Sequence, residues 1–134
     1  MPEQPRHRLR IENFGDVTVV HFIDKKILDK PNIQIIGDEL FGLVDHLGRS
    51  RLLLDFNNVE YLFSGALGKL ITLNKKVKAA GGWLVLCNMD ARVFEICQIA
   101  KLDKIFEIHV REEGDPDAGL ARMLAKLKAQ RSSK

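Results

Sequence analysis

Apolar and polar positions along this chain repeat with two periods, every second residue or every three to four residues. These periods separate strands from helices. The segments 9–14 and 17–23 are rich in β-branched or alternating apolar residues, which is typical of strands. Gly15-Asp16 lies between them and predicts a tight turn, so the chain is expected to open with an antiparallel β-hairpin.

The run from Arg51 to Asn88 predicts a strand, a crossover helix and a second strand. Leu52 to Phe56 has the continuous apolar character of a buried strand, and so does Trp83 to Cys87. Between them, Ser64 to Ala80 carries an apolar stripe at helical spacing. Such a unit forms a parallel βαβ arrangement, in which function usually lies where the first strand ends and the helix begins.

Three further elements complete the order. A helix is expected from Pro31-Asn32, with Asn32 as its N-cap, to a stop at Gly48. Asp90 is placed to cap a short helix, and a last strand is expected at 104–108. The order β-β-α-β-α-β-α-β-α predicts an α/β fold. Its mixed β-sheet has an antiparallel opening hairpin and is covered by amphipathic helices.

The ends of the chain differ from its body. Residues 1–7 are expected to be a flexible N-terminus, 8–110 a folded domain, and 111–134 an acidic linker with a C-terminal amphipathic helix. That helix either packs on its own sheet or binds a partner helix or a second copy, which leaves a homodimer open. Its apolar stripe is Leu120, Met123, Leu124 and Leu127.

Charge and composition exclude several classes of protein. The net charge is +3, but residues 11–120 carry 13 basic and 17 acidic side chains, so the excess positive charge belongs to the ends. A folded body without a basic stripe argues against nucleic-acid binding. No apolar run is long enough for a membrane span. The first residues lack the apolar stretch of a secretory signal, which favours a cytoplasmic location.

The cysteines and the candidate nucleophiles give little indication of catalysis. Cys87 and Cys97 lie in apolar surroundings without metal-type spacing, and we expect buried, reduced thiols. Ser64 lacks the context of a nucleophile elbow. A small enzyme that uses Cys87 or Ser64 remains an alternative, and its test is the reactivity of the thiol. The expected class is a non-enzymatic protein.

The histidines and glycines give no cofactor site either. His21, His46 and His109 are scattered, and His21 is expected to be a satisfied histidine within a strand. Gly65 and Gly68 occur without a phosphate-binding motif, and close helix packing explains them equally well. Neither a metal nor a cofactor is therefore expected.

With these elements placed, residues 8–110 resemble the STAS domain family of anti-sigma factor antagonists and related regulatory modules. The resemblance depends on the element order and on several short segments. These segments are the strand 52–56 with Asn58-Val59 after it, the helix start at 64–67, the exit at 79–82, and the stretches at 93–94 and 102–106. Each segment is unspecific alone, and together they are fairly specific. The implied fold is a STAS-like mixed sheet.

The family's switch motif, Asp-Ser-Ser/Thr-Gly, falls on Leu62, Phe63, Ser64 and Gly65 of this chain. In the family the first serine is phosphorylated, and this abolishes docking. Here Leu62 stands at the position of the acid and Phe63 at that of the phosphorylated serine, so the phospho-switch is degenerate. Ser64 is left as a substitute phospho-acceptor. Its alternative role is to cap the helix through its hydroxyl.

The resemblance implies a regulatory protein-interaction module that docks a serine-kinase anti-sigma factor with a GHKL-type ATPase fold. The predicted docking face is the loop and helix start at 61–67. Its residues are Tyr61, Leu62, Phe63, Ser64, Gly65, Ala66 and Leu67. Within it, Phe63 either anchors the partner as an exposed aromatic side chain or packs inward under the loop. A ligand-sensing or scaffold STAS module is the alternative function.

Overall fold

The computed structural model of the chain describes residues 9–23, 26–27 and 30–131, with side chains for 9–23 and 33–129. The strands are β1 (Leu9–Phe14), β2 (Val17–Phe22), β3 (Lys26–Ile27), β4 (Arg51–Asp55), β5 (Tyr61–Leu62), β6 (Trp83–Met89) and β7 (Glu107–Val110). The helices are α1 (Lys30–Asp45), α2 (Ser64–Ala79), α3 (Ala91–Ile99) and α4 (Pro116–Arg131), with a 3₁₀ turn at Leu102–Lys104. The predicted flexibility of residues 1–7 lies outside the described residues.

The main sheet has the strand order β1-β2-β4-β6-β7. β1 is antiparallel to β2, and the later neighbours pair in parallel. Gly15 has a φ of +64° in the hairpin turn, where a side chain would be strained. The predicted α/β fold with an antiparallel opening hairpin is therefore confirmed.

Alternating residues of the strands supply two apolar cores. Leu52 and Leu54 of β4 face one core, which α1, α2 and α3 cover. Leu53 faces the other core, which α4 covers. Leu127 of the C-terminal stripe is only 1% exposed, so the stripe packs on the chain's own sheet.

The structure corrects two predicted boundaries and adds one strand pairing. Helix α1 begins at Lys30, so the predicted cap, Asn32, lies within the first turn, and its side chain is outside the described ones. The last strand is β7 at 107–110 rather than 104–108, because the N–H groups of Ile105 and Phe106 both donate to the Leu102 carbonyl and close a turn there. The pairing of β3 with β5 was missed, since two residues are too few to show a period.

Candidate functional site

The chain leaves β4 through a turn that is fixed to the core. Phe56 and Val59 are each 1% exposed. The Phe56 N–H donates to the Cys87 carbonyl at 2.9 Å, and the Val59 N–H donates to the Phe56 carbonyl at 2.9 Å. The Phe56 ring also contacts the Phe22 ring, with 4.8 Å between centroids. The residues of β5 therefore follow a turn whose position is fixed by the core.

Strand β5 and the residue after it alternate between solvent and core. Tyr61 and Phe63 are 47% and 42% exposed, whereas Leu62 between them is 3% exposed. Leu62 can turn inward because β5 is extended and pairs with β3. Phe63 is therefore exposed rather than packed inward under the loop, and its role as an anchor for a partner stays a prediction. Together with Tyr61 it places two aromatic side chains at the surface.

Helix α2 begins without a side-chain cap. Phe63 occupies the N-cap position with extended dihedral angles, φ −77° and ψ 149°, and cannot accept a hydrogen bond through its ring. Ser64 is the first helical residue, so the predicted capping role of Ser64 is wrong by one position. Its side chain is exposed, and its hydroxyl makes no hydrogen bond with any described residue. Ser64 is thus open to solvent.

Gly65 provides the surface on which the Phe63 ring lies. A Cβ atom at Gly65 would lie 3.3 Å from Cδ2 of Phe63 and 3.6 Å from Cδ1 of Ile33. A side chain at this position would therefore press against the ring. Ala66 and Leu67 are each 7% exposed and belong to the core.

The predicted docking face is consequently divided. Exposed residues are Tyr61, Phe63, Ser64 and Gly65; buried ones are Leu62, Ala66 and Leu67. We call the exposed four the docking loop. The buried three belong to the core that α1, α2 and α3 cover, so a partner cannot contact them in this conformation.

A second arrangement of polar residues lies at the carboxyl ends of β2 and β4. His21, Asp55 and Asn88 are buried there, whereas the Glu12 side chain beside them is 42% exposed. Nδ1 of His21 lies 2.7 Å from Oδ2 of Asp55, and Nε2 lies 2.9 Å from Oε1 of Glu12. Asn88, with a left-handed φ of 55°, donates from Nδ2 to Oδ1 of Asp55 at 3.1 Å. We call these four residues the His21 cluster. The carboxylates of Asp55 and Glu12 can both accept a hydrogen bond from His21 when its ring is a protonated imidazolium, because that form donates from both nitrogens.

The cluster shifts the pKa values of its own members. The hydrogen bond to Asp55 raises the pKa of His21, with a further contribution from Glu12, and outweighs the opposing effect of burial. Burial acts to raise the pKa of Asp55, but the hydrogen bonds from His21, Asn88 and the Asn57 N–H outweigh it, and the pKa lies below its usual value. The cluster therefore favours a charged histidine beside a charged aspartate.

Side chains from neighbouring elements hold the turn that leads to the docking loop. Arg111 donates from Nη1 to the Asn57 carbonyl at 2.9 Å and from Nη2 to Oδ2 of Asp90 at 3.3 Å. Asn58 donates from Nδ2 to the Ile23 carbonyl at 2.6 Å. Asp90 caps α3 as predicted, by accepting from the Arg92 N–H. These contacts tie the turn to β2, to β7 and to the start of α3.

The thiols are unsuited to nucleophilic chemistry. Cys87 is 3% exposed and Cys97 is fully buried. Burial raises the pKa of Cys87 to about 12 and that of Cys97 to about 11, so both are protonated at neutral pH. In the described part of the chain, His, Cys, Asp and Glu residues form no group that could hold a metal ion.

The cavities differ in size and character. An apolar pocket between α1 and α2, which includes Phe22, Leu40 and Leu70, has a volume of only about 10 Å³, too small for an organic ligand. A polar cleft of about 320 Å³ lies beside His21 and Asp55, whose polar atoms are already paired. Among the described helices, none has the length and apolarity needed to cross a membrane.

Sequence reasoning singled out residues 61–67 as a docking face, which stays a prediction, and it missed the His21 cluster. His21 was expected to be a satisfied strand histidine, and it is, but its partners were not foreseen. Asp55 and Asn88 each end or follow an apolar run, so they lie at the carboxyl ends of neighbouring parallel strands. That position was the available signal.

Comparisons with known proteins agree with this fold. The STAS domain profile matches residues 8–114. An anti-sigma factor antagonist homolog of Thermotoga neapolitana is 29% identical over 91 residues, which is 68% of this chain and 80% of that protein. The crystal structure of a Thermotoga maritima anti-sigma factor antagonist has a TM-score of 0.69 at 20% identity, over 87% of this chain and 94% of the other.

A third similar structure is that of the Bacillus cell fate determinant SpoIIAA in its phosphorylated form. Its TM-score is 0.62 at 13% identity, and the match covers 86% of this chain and 98% of the other. At this identity the likeness concerns the fold. Because the family profile spans most of the chain, the chain belongs to the STAS domain family, and it resembles the anti-sigma factor antagonists within it.

Proposed function

We propose that this STAS domain docks a serine-kinase anti-sigma factor of the GHKL type through the docking loop, and so releases a sigma factor. The observation that carries the proposal is the combination of two exposed aromatic side chains with an exposed hydroxyl, at the start of α2, that bonds to no residue the structure describes. The similarity to anti-sigma factor antagonists supports the class of partner.

Phe63 is proposed as the anchor of the docked complex. Aromatic residues dominate the binding energy of protein interfaces when they become fully buried. The Phe63 ring already rests against Gly65, and the preceding turn is fixed by Phe56 and Val59. A loop held in one conformation loses little entropy on binding, which favours affinity.

Ser64 is proposed as the acceptor of a relocated phospho-switch. A phosphate would add about −1.5 to −2 charges at pH 7. The N-terminus of α2 tolerates such a charge, so the domain itself would remain folded. A partner that buries Phe63 would have to desolvate the neighbouring phosphate, and docking would weaken. The phosphorylated Bacillus relative supports phosphorylation as a theme of this fold.

The cellular setting and the oligomeric state are proposed as well. A cytoplasmic setting without nucleic acid or membrane is expected for such a regulator. A homodimer is also proposed, although the C-terminal stripe cannot form it, because Leu127 and its neighbours pack on their own sheet.

The test is affinity purification of the tagged protein from its native cells, followed by mass spectrometry of the eluate. We compare the wild type with Phe63→Ala and with Ile99→Ala, a control that truncates an apolar side chain that is 77% exposed elsewhere. The same eluate gives the mass of the peptide that contains Ser64. A kinase-type partner is expected with the wild type and with Ile99→Ala, and it should be lost with Phe63→Ala.

The outcomes separate the two parts of the proposal. Ser64→Glu is purified in the same way as a mimic of the phosphorylated protein. A GHKL-type partner together with phosphate on Ser64 supports both docking and the switch, provided that Ser64→Glu retains less of this partner. The same partner with Ser64 never modified supports docking and removes the switch. No kinase-type partner would overturn the proposal and favour a ligand-sensing or scaffold role.

A further inference from the structure

The two edges of the sheet differ in their regularity. β7 has four residues, and its pairing with β6 is interrupted between Leu86 and Met89. β1 has six residues, all paired in unbroken register with β2. Short and irregular edges resist a further strand, whereas a regular edge is a template for one. Of these two edges, β1 is therefore the better suited to pair with another chain.

The hairpin register identifies the backbone groups that face outward. The two-residue turn places Phe14 opposite Val17 as the hydrogen-bonded pair that closes the hairpin. Hydrogen-bonded and non-hydrogen-bonded pairs alternate along an antiparallel ladder. The N–H and C=O groups of Leu9, Ile11 and Asn13 consequently point away from β2.

We propose that β1 pairs with β1 of a second copy of this chain, antiparallel and centred on Ile11. In this register Ile11 faces Ile11 of the second copy as a hydrogen-bonded pair. Arg10 then lies opposite Glu12 of the second copy, and Glu12 opposite its Arg10. These are non-hydrogen-bonded pairs, whose side chains approach most closely.

The charges on β1 select this register. Within one chain, Nη1 of Arg10 lies 3.2 Å from Oε2 of Glu12, and both side chains are about half exposed. With pairing centred on Ile11, each Arg10 has Glu12 of its own chain on one side and Glu12 of the second copy opposite, so every neighbouring pair of charges is attractive. A shift by one residue would set outward backbone groups against inward ones. The nearest shifts that preserve the pattern bring Arg10 against Arg10, or Glu12 against Glu12.

An apolar groove beside β1 gives the second copy a further surface to cover. The groove lies between β1 and α1, has a volume of about 490 Å³, and includes Leu9, Ile11, Leu43 and Leu47. Leu47 is 68% exposed and Ile11 37% exposed. The two-fold axis would bring the two Ile11 side chains together at the mouths of both grooves, and this removes apolar surface from water.

The test is sedimentation velocity of the full chain over a range of concentrations. Ile11→Pro removes an outward N–H and leaves the β1–β2 ladder intact, as proline is tolerated at such edge positions. Arg10→Glu places like charges opposite each other in both pairs. Ile11→Val keeps the N–H. Arg122→Glu makes the same charge change at a surface arginine that lies 3.4 Å from Oε1 of Glu112.

The expected result is a dimer that Ile11→Pro abolishes and Arg10→Glu weakens roughly tenfold. Ile11→Val and Arg122→Glu should leave it unchanged. Circular dichroism confirms that each variant is folded; if Ile11→Pro is unfolded, Arg10→Glu decides. A wild type that stays monomeric, or a dimer indifferent to Arg10→Glu, would overturn the proposal. The result is independent of the docking loop, which lies on other elements.

Discussion

The His21 cluster and the docking loop both lie near the carboxyl ends of the parallel strands, and they use polar groups in opposite ways. In the cluster, both ring nitrogens of His21 and both oxygens of Asp55 have partners, and the side chains are buried. In the loop, the Ser64 hydroxyl makes no bond within the described part of the chain, and the flanking Phe63 is exposed. Paired and buried groups stabilise the fold, whereas unpaired and exposed groups remain available to a partner. Substitutions should therefore separate stability from binding.

The largest effect is expected for Asp55→Ala. The substitution removes the carboxylate that pairs with Nδ1 of the buried His21. It also removes a hydrogen-bond acceptor for the Asn88 side chain and for the Asn57 N–H. Loss of one member of a buried ion pair costs about 3–5 kcal/mol in the free energy of unfolding. Urea denaturation measures this quantity.

Asp45→Ala is the matched control for Asp55→Ala. Asp45 lies 2.9 Å from Nζ of Lys76, but both side chains are substantially exposed. Surface pairs of this kind contribute about 0–1 kcal/mol. Equal losses for the two variants would mean that the cluster does not stabilise the fold more than a surface pair does.

A smaller effect is expected when the protonation of His21 changes. The pKa of His21 is raised in the folded protein, so its contribution is complete below the usual value of 6.5 and is lost as the pH rises through the folded pKa. Asp55, with a lowered pKa, contributes above its usual value of 3.8 and loses its contribution as the pH falls through the folded pKa. Stability should therefore be greatest between these two ranges.

His21→Gln should flatten the decline of stability on the alkaline side, because the hydrogen bond to Asp55 that raises the pKa of His21 is then absent. Urea denaturation between about pH 5 and pH 8 measures it, below the range in which free thiols ionise. His109→Gln is the control, because His109 also lies 2.7 Å from a carboxylate, that of Glu107, but is far less buried. A decline that persists in His21→Gln would assign it to another group.

The sequence was sufficient for the fold because the fold depends on local burial. Leu52, Leu53 and Leu54 form one apolar run, and the two cores take alternate members of it. The exposed start of α2 was predictable by its position after this strand. The His21 cluster was not, because His21 meets Asp55 across 34 residues through the pairing of β2 with β4. Whether a polar residue finds a partner depends on strand register, which composition and periodicity do not contain.

The smallest effect is expected in the docking loop itself, for Ser64→Glu. The variant places a negative charge in the first turn of α2, which has no acidic residue and no side-chain cap. Such a charge stabilises a helix by about 0.3–1 kcal/mol, so the melting temperature should rise slightly relative to Ser64→Ala. Adding salt should reduce the difference, since the interaction is exposed. A marked loss of stability would show that Ser64 contributes to the fold, and the contrast between the loop and the His21 cluster would then fail. Unchanged or slightly raised stability together with weakened docking would mean that the charge acts on the partner alone.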